Sequence, residues 1–427
     1  MKRSSKGSAS GRARTAAPVA ALAAAIALVA CSSSPASTAP AATGTTGTTA
    51  SGSSASPAAA AAGSPIGLAY LTEFSSQGSS GDGYTGVQAA IKYINAHGGV
   101  KGHPLIATEC TDNDDPNLAA ACATKAASNP QIIATAGQTT LQGAVVDPIL
   151  QHAGLPAIAA NTFVSADFTS PDIFTTTLGG LVGLGAVAAA TDLLHARKVS
   201  FVYVQSPAAA TEVSLIDSTV LTPRKLPPMT AVGVSPTTGD MSAAVAKASL
   251  GSPGAIIMYA GQAQANSFVK AARQQGVTTP ILIAASLESA SAVEQQLSGG
   301  QNLYFYTWFN HSGPFYDAFA SQWQAAGNQL ANADDIAING WLAVTMFADV
   351  ARTLPAITRA SVMQAFSRLS GYTTGGLLPP LSYTKPGTAL GGQAPRVINP
   401  TMGLSQYQNG TFVPYDNGKF TNPFTVP

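Results

Sequence analysis

The side chains that do chemistry are thinly spread in this sequence. His97, His103, His152, His195 and His311 stand far apart, and none falls in HExxH or another metal-ligand spacing. His97 sits at the end of a predicted helix, where a cation complements the dipole, so its role reads as structural. Neither a GxSxG nucleophile elbow nor a GxxxxGKS/T phosphate loop occurs. Two patterns remain. Asp112, Asp114 and Asp115 resemble the start of a calcium loop, but the sixth-position glycine is lacking and Pro116 follows at once. Helix capping with solvated carboxylates is the competing reading. Gly81-Asp82-Gly83-Tyr84-Thr85-Gly86 is a complete GxGxxG ahead of a predicted helix. Glu109 lies near the acidic position, about 20 residues on, of a dinucleotide fingerprint. That fingerprint needs a tight turn directly after the strand, whereas Gly81 comes ten residues after Leu71. A partial second match, Gly183-Leu184-Gly185-Ala186-Val187-Ala188, leads to a strand ending in Gln205 rather than an acid. A flexible glycine-rich loop is the favoured reading, and no metal or cofactor is expected.

The elements that would position these residues follow an alternating pattern. Residues 66–71 read as a first strand. Val87, Ala90, Ile91 and Ile94 recur at i, i+3, i+4 and i+7, one face of a helix. Gly98-Gly99 provide the positive φ that ends it. After a turn at Lys101-Gly102, residues 104–109 form the next strand. Asp115 reads as an N-cap with Pro116 at the first helical position, opening a helix through Ala127. Further strands are predicted over 132–136, 156–160, 199–205, 255–260, 281–285 and 303–309. Their wide spacing, with helices between, argues βαβ units and parallel sheets. Two sheets use the chain after residue 64 better than one. No internal sequence repeat stands out.

Charge and composition narrow the function classes. Of 427 residues only 10% are charged, with 21 Lys+Arg against 20 Asp+Glu. Nucleic-acid binding needs clustered cations that this chain lacks. A hydrophobic content of 46% argues against disorder throughout, and no run of about 18 apolar residues is present to span a membrane. Lys2, Arg3, Lys6, Arg12 and Arg14 precede an apolar stretch from Ala16 to Ala30, the layout of a signal peptide over residues 1–30. Without those five cations, sixteen basic residues face twenty acidic ones, a net charge of −4. Leu28-Val29-Ala30-Cys31 looks like a bacterial lipobox, which makes Cys31 the expected lipidation site and membrane anchor. No twin-arginine pair is present, so export through the general pathway is expected. Residues 32–64 carry no charge and are almost entirely Ser, Thr, Ala, Gly and Pro, a linker with a reach of roughly 30 Å. In an oxidising compartment Cys110 and Cys122 are expected to form a structural disulfide, since their spacing matches no CxxC or zinc pattern.

Several runs then occur in a telling order. Tyr93-Ile94-Asn95-Ala96-His97-Gly98-Gly99-Val100-Lys101-Gly102 is close to an INxxGGxxG helix-to-strand turn. Asp112 with Asp115-Pro116 and an Ala-rich helix follows. Gly137-Gln138-Thr139-Thr140 precedes Pro148-Ile149-Leu150 and Ala153-Gly154-Leu155-Pro156. Phe268-Val269-Lys270-Ala271-Ala272-Arg273 with Gly276 comes later. Together, from Pro65 to about Tyr372, these runs resemble the branched-chain amino-acid and amide type of substrate-binding protein that serves ABC importers. The lipobox and linker suit the lipoprotein form of Gram-positive relatives.

The resemblance implies an α/β chain with the type I periplasmic-binding-protein fold. It has two doubly wound parallel-sheet lobes joined by a three-crossing hinge that closes on ligand. The lobes would comprise residues 65–178 plus 309–372 and residues 179–308 plus 373–427, with crossings near 177–180, 307–310 and 372–376. Ligand would sit beyond the C-terminal strand ends, at Glu73 and Phe74, at Gln138, Thr139 and Thr140, and at Asn161, Thr162 and Phe163. Thr139 and Thr140 match the family's Ser-Ser position for a ligand carboxylate. Thr162 or Phe163 matches the second family position. The bland alternative is that these threonines only cap helices. In the second lobe the family's Tyr-Gly loop is replaced by Gln205-Ser206-Pro207-Ala208, and the next loop reads Gly261-Gln262-Ala263. The family's ammonium-holding Glu aligns with Ser286, two positions from Glu288. Either Glu73 or Glu288 is the countercharge, or the ligand has no amino group. Trp308 and Phe309 fall at a hinge beside the cleft, with ligand contact and core packing as competing roles. The resemblance thus implies an extracytoplasmic, membrane-anchored monomer that makes and breaks no bond. It captures a small polar metabolite (an amino acid, amide or small organic acid) in a cleft lined by Thr, Gln, Asn and Ser, and hands it to a permease. The alternatives are an exported NAD-dependent oxidoreductase built on residues 81–86, and a ligand sensor without transport.

Overall fold

The computed structural model describes residues 61–73 and 82–427. The expected signal peptide, Cys31, the linker up to residue 60, Phe74 and Gly81 lie outside the described residues. The chain runs β1 (Ile66–Thr72), α1 (Asp82–Ala96), β2 (Leu105–Thr111), α2 (Pro116–Ser128), β3 (Ile132–Ala136), α3 (Gly143–His152), β4 (Ala157–Ile158), α4 (Ser165–Thr169) and β5 (Ile173–Phe174). It continues through α5 (Val182–Asp192), β6 (Val199–Val204), α6 (Pro207–Ile216), β7 (Thr230–Val234), α7 (Ser242–Ala248), β8 (Ala255–Tyr259), α8 (Gln262–Gln274), β9 (Ile281–Ala284), α9 (Ala290–Leu297) and β10 (Leu303–Thr307). The helices α10 (Pro314–Ala325), α11 (Asp335–Thr353) and α12 (Arg359–Ser367) follow, and β11 (Gly403–Gln408) and β12 (Thr411–Pro414) close the chain.

Alternation within β1 shows why a strand with such a continuous apolar run forms. All seven of its residues are buried. Leu68 and Tyr70 point to the face covered by α1 and α11, while Ala69 and Leu71 point to α2 and α3. A strand covered on both faces needs no polar side. Capping is equally local: the Asp115 carboxylate accepts from Asn117 N at 2.7 Å and Leu118 N at 3.2 Å, and Pro116 starts α2. Cys110, at the end of β2, is disulfide-bonded to Cys122 on α2, with Cα atoms 5.6 Å apart.

Strand order repeats although the sequence does not. The first sheet is parallel, in the order β2-β1-β3-β4-β5. The second contains β7-β6-β8-β9-β10, the same order and also parallel, extended by the antiparallel pair β11 and β12. Each set alone is a doubly wound sheet. Three differences from expectation have physical causes. The strand predicted over 156–160 shrinks to Ala157–Ile158, because Ala159 takes φ 50° and turns the chain toward Thr139. The hairpin of β11 and β12 went unread, although Asn409 and Gly410, both at positive φ, are a strong hairpin signal.

The third difference concerns the hinge. Residues 175–181 lead from β5 to α5 and residues 308–313 lead from β10 to α10, close to two expected crossings. Residues 383–397, expected in the second lobe, instead pack on the outer edge of the first sheet. Tyr383 Oη donates to Thr175 O at 2.7 Å and Arg396 Nε to Ile173 O at 2.6 Å, while the guanidinium lies 5.0 Å from the Phe174 ring centre. They satisfy the edge that two-residue β5 leaves open. The third crossing therefore falls at residues 398–402, just before β11, where Asn399 Nδ2 donates to Thr176 O at 2.8 Å.

The GxGxxG glycines also have a packing role. Gly83 and Gly86 lie inside α1, not in a turn. A Cβ on Gly86 would stand 2.0 Å from Ala337 O, and one on Gly340 would stand 2.1 Å from Gly83 O. Gly83, Gly86 and Gly340 thus let α1 and α11 approach backbone to backbone. Gly183 and Gly185 are likewise packed within α5, against Glu212 and Phe201 and against Leu178 and Met402. Substituting Gly86→Ala is expected to lower stability by about 1–3 kcal/mol through overpacking, read as a lower urea midpoint. An unchanged midpoint would mean that the helices are not held at this separation.

Candidate functional site

A cavity of about 280 Å³ lies at the C-terminal strand ends of both sheets. Neighbouring strands there send their crossovers to opposite faces, which opens a crevice at each switch point. Glu73 follows β1, Thr139 follows β3, Ser206 follows β6, and Ala260 and Gly261 follow β8; all line the cavity. Ser286 and Leu287 after β9, and Trp308 after β10, complete the far side. At roughly 30 Å³ per water, the volume equals about nine waters, so it suits a ligand on the order of ten non-hydrogen atoms.

The walls are mainly apolar. Val182, Val204, Ala209, Ala284 and Ile336 are interleaved with Phe163, Tyr259, Tyr306 and Trp308. The tyrosines are held from behind. Tyr306 Oη donates to Met258 O at 2.8 Å. Tyr259 stacks on Phe201, 5.7 Å between centres, and its hydroxyl faces Glu212. The Glu212 carboxylate accepts from Leu184 N at 3.0 Å, and burial raises its pKa to about 7 despite that bond. Trp308 presents an indole N–H that has no protein partner.

Of the sequence-predicted site residues, Glu73, Thr139, Phe163, Ser286 and Trp308 meet at this cavity. The expected polar lining does not form, because the other side chains are spent inside the scaffold. Thr140 donates its hydroxyl to Asp112 and accepts from Gln142 N. Thr139 donates to Gly137 O at 3.2 Å and accepts from Asn161 Nδ2 at 3.0 Å. Gln138 accepts from Thr135 Oγ1 at 2.8 Å, and Asn161 accepts from Thr177 Oγ1 at 3.4 Å. Thr162 is buried against Gly179, whose Cβ would stand 2.1 Å from its carbonyl oxygen. Gln205 is exposed beside Gly233. Glu288 is fully buried and accepts from Gln262 Nε2 at 3.3 Å. The three aspartates serve locally too: Asp112 accepts from Asp114 N, Asp114 from Gln142 Nε2, and Asp115 caps α2. Sequence reasoning missed Tyr259 and Tyr306. Tyr259 ends the very strand whose following loop lacks an aromatic, so looking two residues earlier would have found it.

Two electrostatic features shape the site. Glu73 has an unpartnered, buried Oε2. Burial, then Asp114 and Asp112, push its pKa up to about 8, so the carboxyl keeps its proton at neutral pH. Beneath Phe163, Asp167 accepts from Phe163 N at 2.6 Å and Val164 N at 3.0 Å. Asp147 on α3 faces Asp167, and burial together with that neighbour raises its pKa far above the usual carboxylate range. Both Asp147 oxygens are buried without a hydrogen-bond partner, which favours the protonated carboxyl.

Ser405, His311 and Asp335 stand in the order of a hydrolase triad, with Ser405 Oγ to His311 Nδ1 at 3.2 Å and His311 Nε2 to Asp335 Oδ1 at 2.9 Å. Ser405 is only 1% exposed and none of the three lines the cavity, so a substrate has no route to that hydroxyl. Among the described residues, no group of three His, Cys, Asp or Glu side chains is placed to hold a metal.

Two α/β lobes with a cavity at paired switch points define a binding protein of the hinged, bilobed kind. The sequence matches the model of the periplasmic binding protein family over residues 65–394, and the chain belongs to that family. Solved structures share the fold. A solute-binding protein of an ABC transporter from Rhodopseudomonas palustris HaA2, in complex with p-hydroxybenzoic acid, superposes with TM-score 0.67 at 14% identity, covering 84% of this chain and 97% of that one. A fatty acid ABC transporter substrate-binding protein from Thermomonospora curvata gives 0.64 at 18%, covering 84% and 94%. The branched-chain amino acid transporter substrate-binding protein of Streptococcus pneumoniae, in complex with isoleucine, gives 0.63 at 18%, covering 82% and 97%. No curated protein matches this sequence.

The acid pair yields a stability prediction. A carboxyl whose pKa is raised on folding stabilises the fold at low pH and loses that contribution as pH climbs from the unfolded value, about 3.9, through the raised one. For Asp147 this loss extends through neutral pH into the alkaline range. Asp147→Asn supplies an N–H for Asp167 without a titrating proton. Its melting temperature should exceed that of the unsubstituted protein increasingly from pH 5 toward pH 9. Parallel curves would show that the pair is not protonated.

Proposed function

We propose that the chain is an extracytoplasmic solute-binding lipoprotein that captures a small organic solute between its lobes and delivers it to the permease of an ABC importer. Substrate-binding proteins of this family bind small molecules and present them for transport. The observation that carries the reading is the cavity itself, shared by both lobes at paired switch points and walled by side chains whose polar atoms are mostly engaged elsewhere. Such a wall excludes water and grips an apolar body, while Glu73 and the hydroxyls of Ser206 and Ser286 provide the polar contacts. In this proposal residues 65–178 and 309–398 form one lobe and residues 179–308 and 399–427 the other, and the crossings flex to close the cleft. Isoleucine, p-hydroxybenzoic acid and fatty acid, named for the similar structures, indicate that this fold accepts apolar-bodied solutes. The chain acts as a monomer, tethered by lipid at Cys31, without cofactor or chemical step.

Two measurements test this reading. In a thermal-shift screen of small amines, amino acids, amides and organic acids, at least one raises the melting temperature, and ligand addition lowers the radius of gyration in solution scattering. Trp308→Ala removes one aromatic wall and weakens that ligand by roughly tenfold or more, for a loss of about 1.5–3 kcal/mol of apolar contact. A rise with NAD alone would favour the oxidoreductase instead. Separately, Cys31→Ala is expected to move the protein from the membrane fraction to the medium; retention at the membrane would refute the lipid tether.

A further inference from the structure

We propose that the solute carries a cationic nitrogen on an apolar body and no carboxylate, with Glu73 as its countercharge. This inference rests on the solute-binding reading of the same cavity and adds the charge of what it holds.

Among the described residues, no Lys, Arg or His lines the cavity; its titratable groups are Glu73, Tyr259 and Tyr306. Residues 74–81, which follow Glu73 in the chain, read Phe-Ser-Ser-Gln-Gly-Ser-Ser-Gly and add no cation. A ligand carboxylate therefore has no cationic partner among the lining residues. The hydroxyls of Thr139 and Thr140 donate inward, to Gly137 O and Asp112, and Thr139 N donates to Leu71 O. The Trp308 N–H and the hydroxyls of Ser206 and Ser286 are the remaining side-chain donors at the cavity, and neutral donors pair a carboxylate more weakly than a carboxylate pairs an ammonium.

The charged groups that act on Glu73 are acidic, and the one imidazole nearby, His311, is turned to Asp335. Asp112 and Asp114 flank it on the loop after β2. Glu212 lies behind Tyr259 on the opposite wall. Asp334 and Asp335 occupy the start of α11 beside the lining residue Ile336. Tyr259 and Tyr306 are kept neutral by burial. Burial first, and then the charges of Asp114 and Asp112, raise the affinity of Glu73 for a proton, and those two carboxylates attract any other cation as well. In the empty cleft the proton takes the cation's place. When an ammonium binds, Glu73 releases that proton to solvent and pairs as a carboxylate, so the charge of the site is unchanged. The faces of Phe163, Tyr259, Tyr306 and Trp308 add attraction for a cation and a surface for its apolar body. Glu288, the other candidate countercharge, is sealed in the second lobe under Gln262.

The test is isothermal titration of the full chain in detergent with three matched series of graded apolar bodies: primary amines, the corresponding carboxylic acids, and the corresponding α-amino acids. The best amine should bind at least about tenfold tighter than the best acid or amino acid. It should release about one proton, seen as a heat that changes with the ionisation enthalpy of the buffer. Its affinity should rise about tenfold per pH unit up to the Glu73 pKa of about 8. Glu73→Gln should abolish the proton release and cost at least about tenfold in amine affinity, with a melting temperature no lower than the original. A best ligand from the acids or amino acids, or amine binding without proton release, overturns this inference and leaves solute capture standing. No binding in any of the three series overturns both.

Discussion

A single buried carboxylate joins the parts of this molecule that must act together. Asp335, 1% exposed, accepts from Thr307 Oγ1 at 2.8 Å, Trp308 N at 2.8 Å and His311 Nε2 at 2.9 Å. Thr307 ends the central sheet of the second lobe, Asp335 opens the long helix of the first, and residues 308–313 cross between them. His311 passes the tie on to Ser405 in β11. A carboxylate buried so deeply is tolerated when hydrogen bonds and an imidazole surround it. The consequence is geometric: the crossing cannot shift without breaking several bonds at one atom group, so Trp308 is held at the cavity wall. A constellation that elsewhere would make a nucleophile here makes a bolt, because it is closed to substrate.

Around that bolt, the first lobe is assembled by removing side chains rather than adding them. Gly83, Gly86 and Gly340 bring α1 and α11 to backbone contact. This close packing puts Ile336 at the cavity and Asn339 beneath the first crossing, where Thr176 donates to it at 3.0 Å and it donates to Ala159 O at 2.8 Å. The glycine pattern that suggests a phosphate turn is thus a helix-crossing device. The polar residues at the strand ends follow the same economy. Thr139, Thr140, Asn161 and Gln138 bind one another and the loops, which leaves an apolar cleft with an acidic rim.

Much of the architecture was legible along the chain. The strands β1, β3, β6, β8, β9 and β10 appear as apolar runs because both faces of each sheet are covered there. The Asp115–Pro116 start of α2 and the Cys110–Cys122 pair are local events, decided within a dozen residues. Short edge elements were not legible. β5 contains two residues and is completed by Tyr383 and Arg396, more than two hundred positions away. For that reason the third crossing, expected near 372–376, falls at 398–402.

The sequence by itself determined the alternation of strand and helix, the caps, the disulfide partners, the charge-poor body and several strand ends that border the cavity, since each depends on residue type and short spacing. Tertiary structure alone decided what those places offer. Whether a threonine hydroxyl faces a ligand or a neighbour is set by atoms remote in the chain, as Asn161 does for Thr139 and Asp112 for Thr140. Whether Glu73 is a carboxylate or an acid depends on how much water and how many other carboxylates surround it. Composition counts a charge once, wherever it is; only the fold sets its burial and its distance from the others, and these decide whether it is ionised.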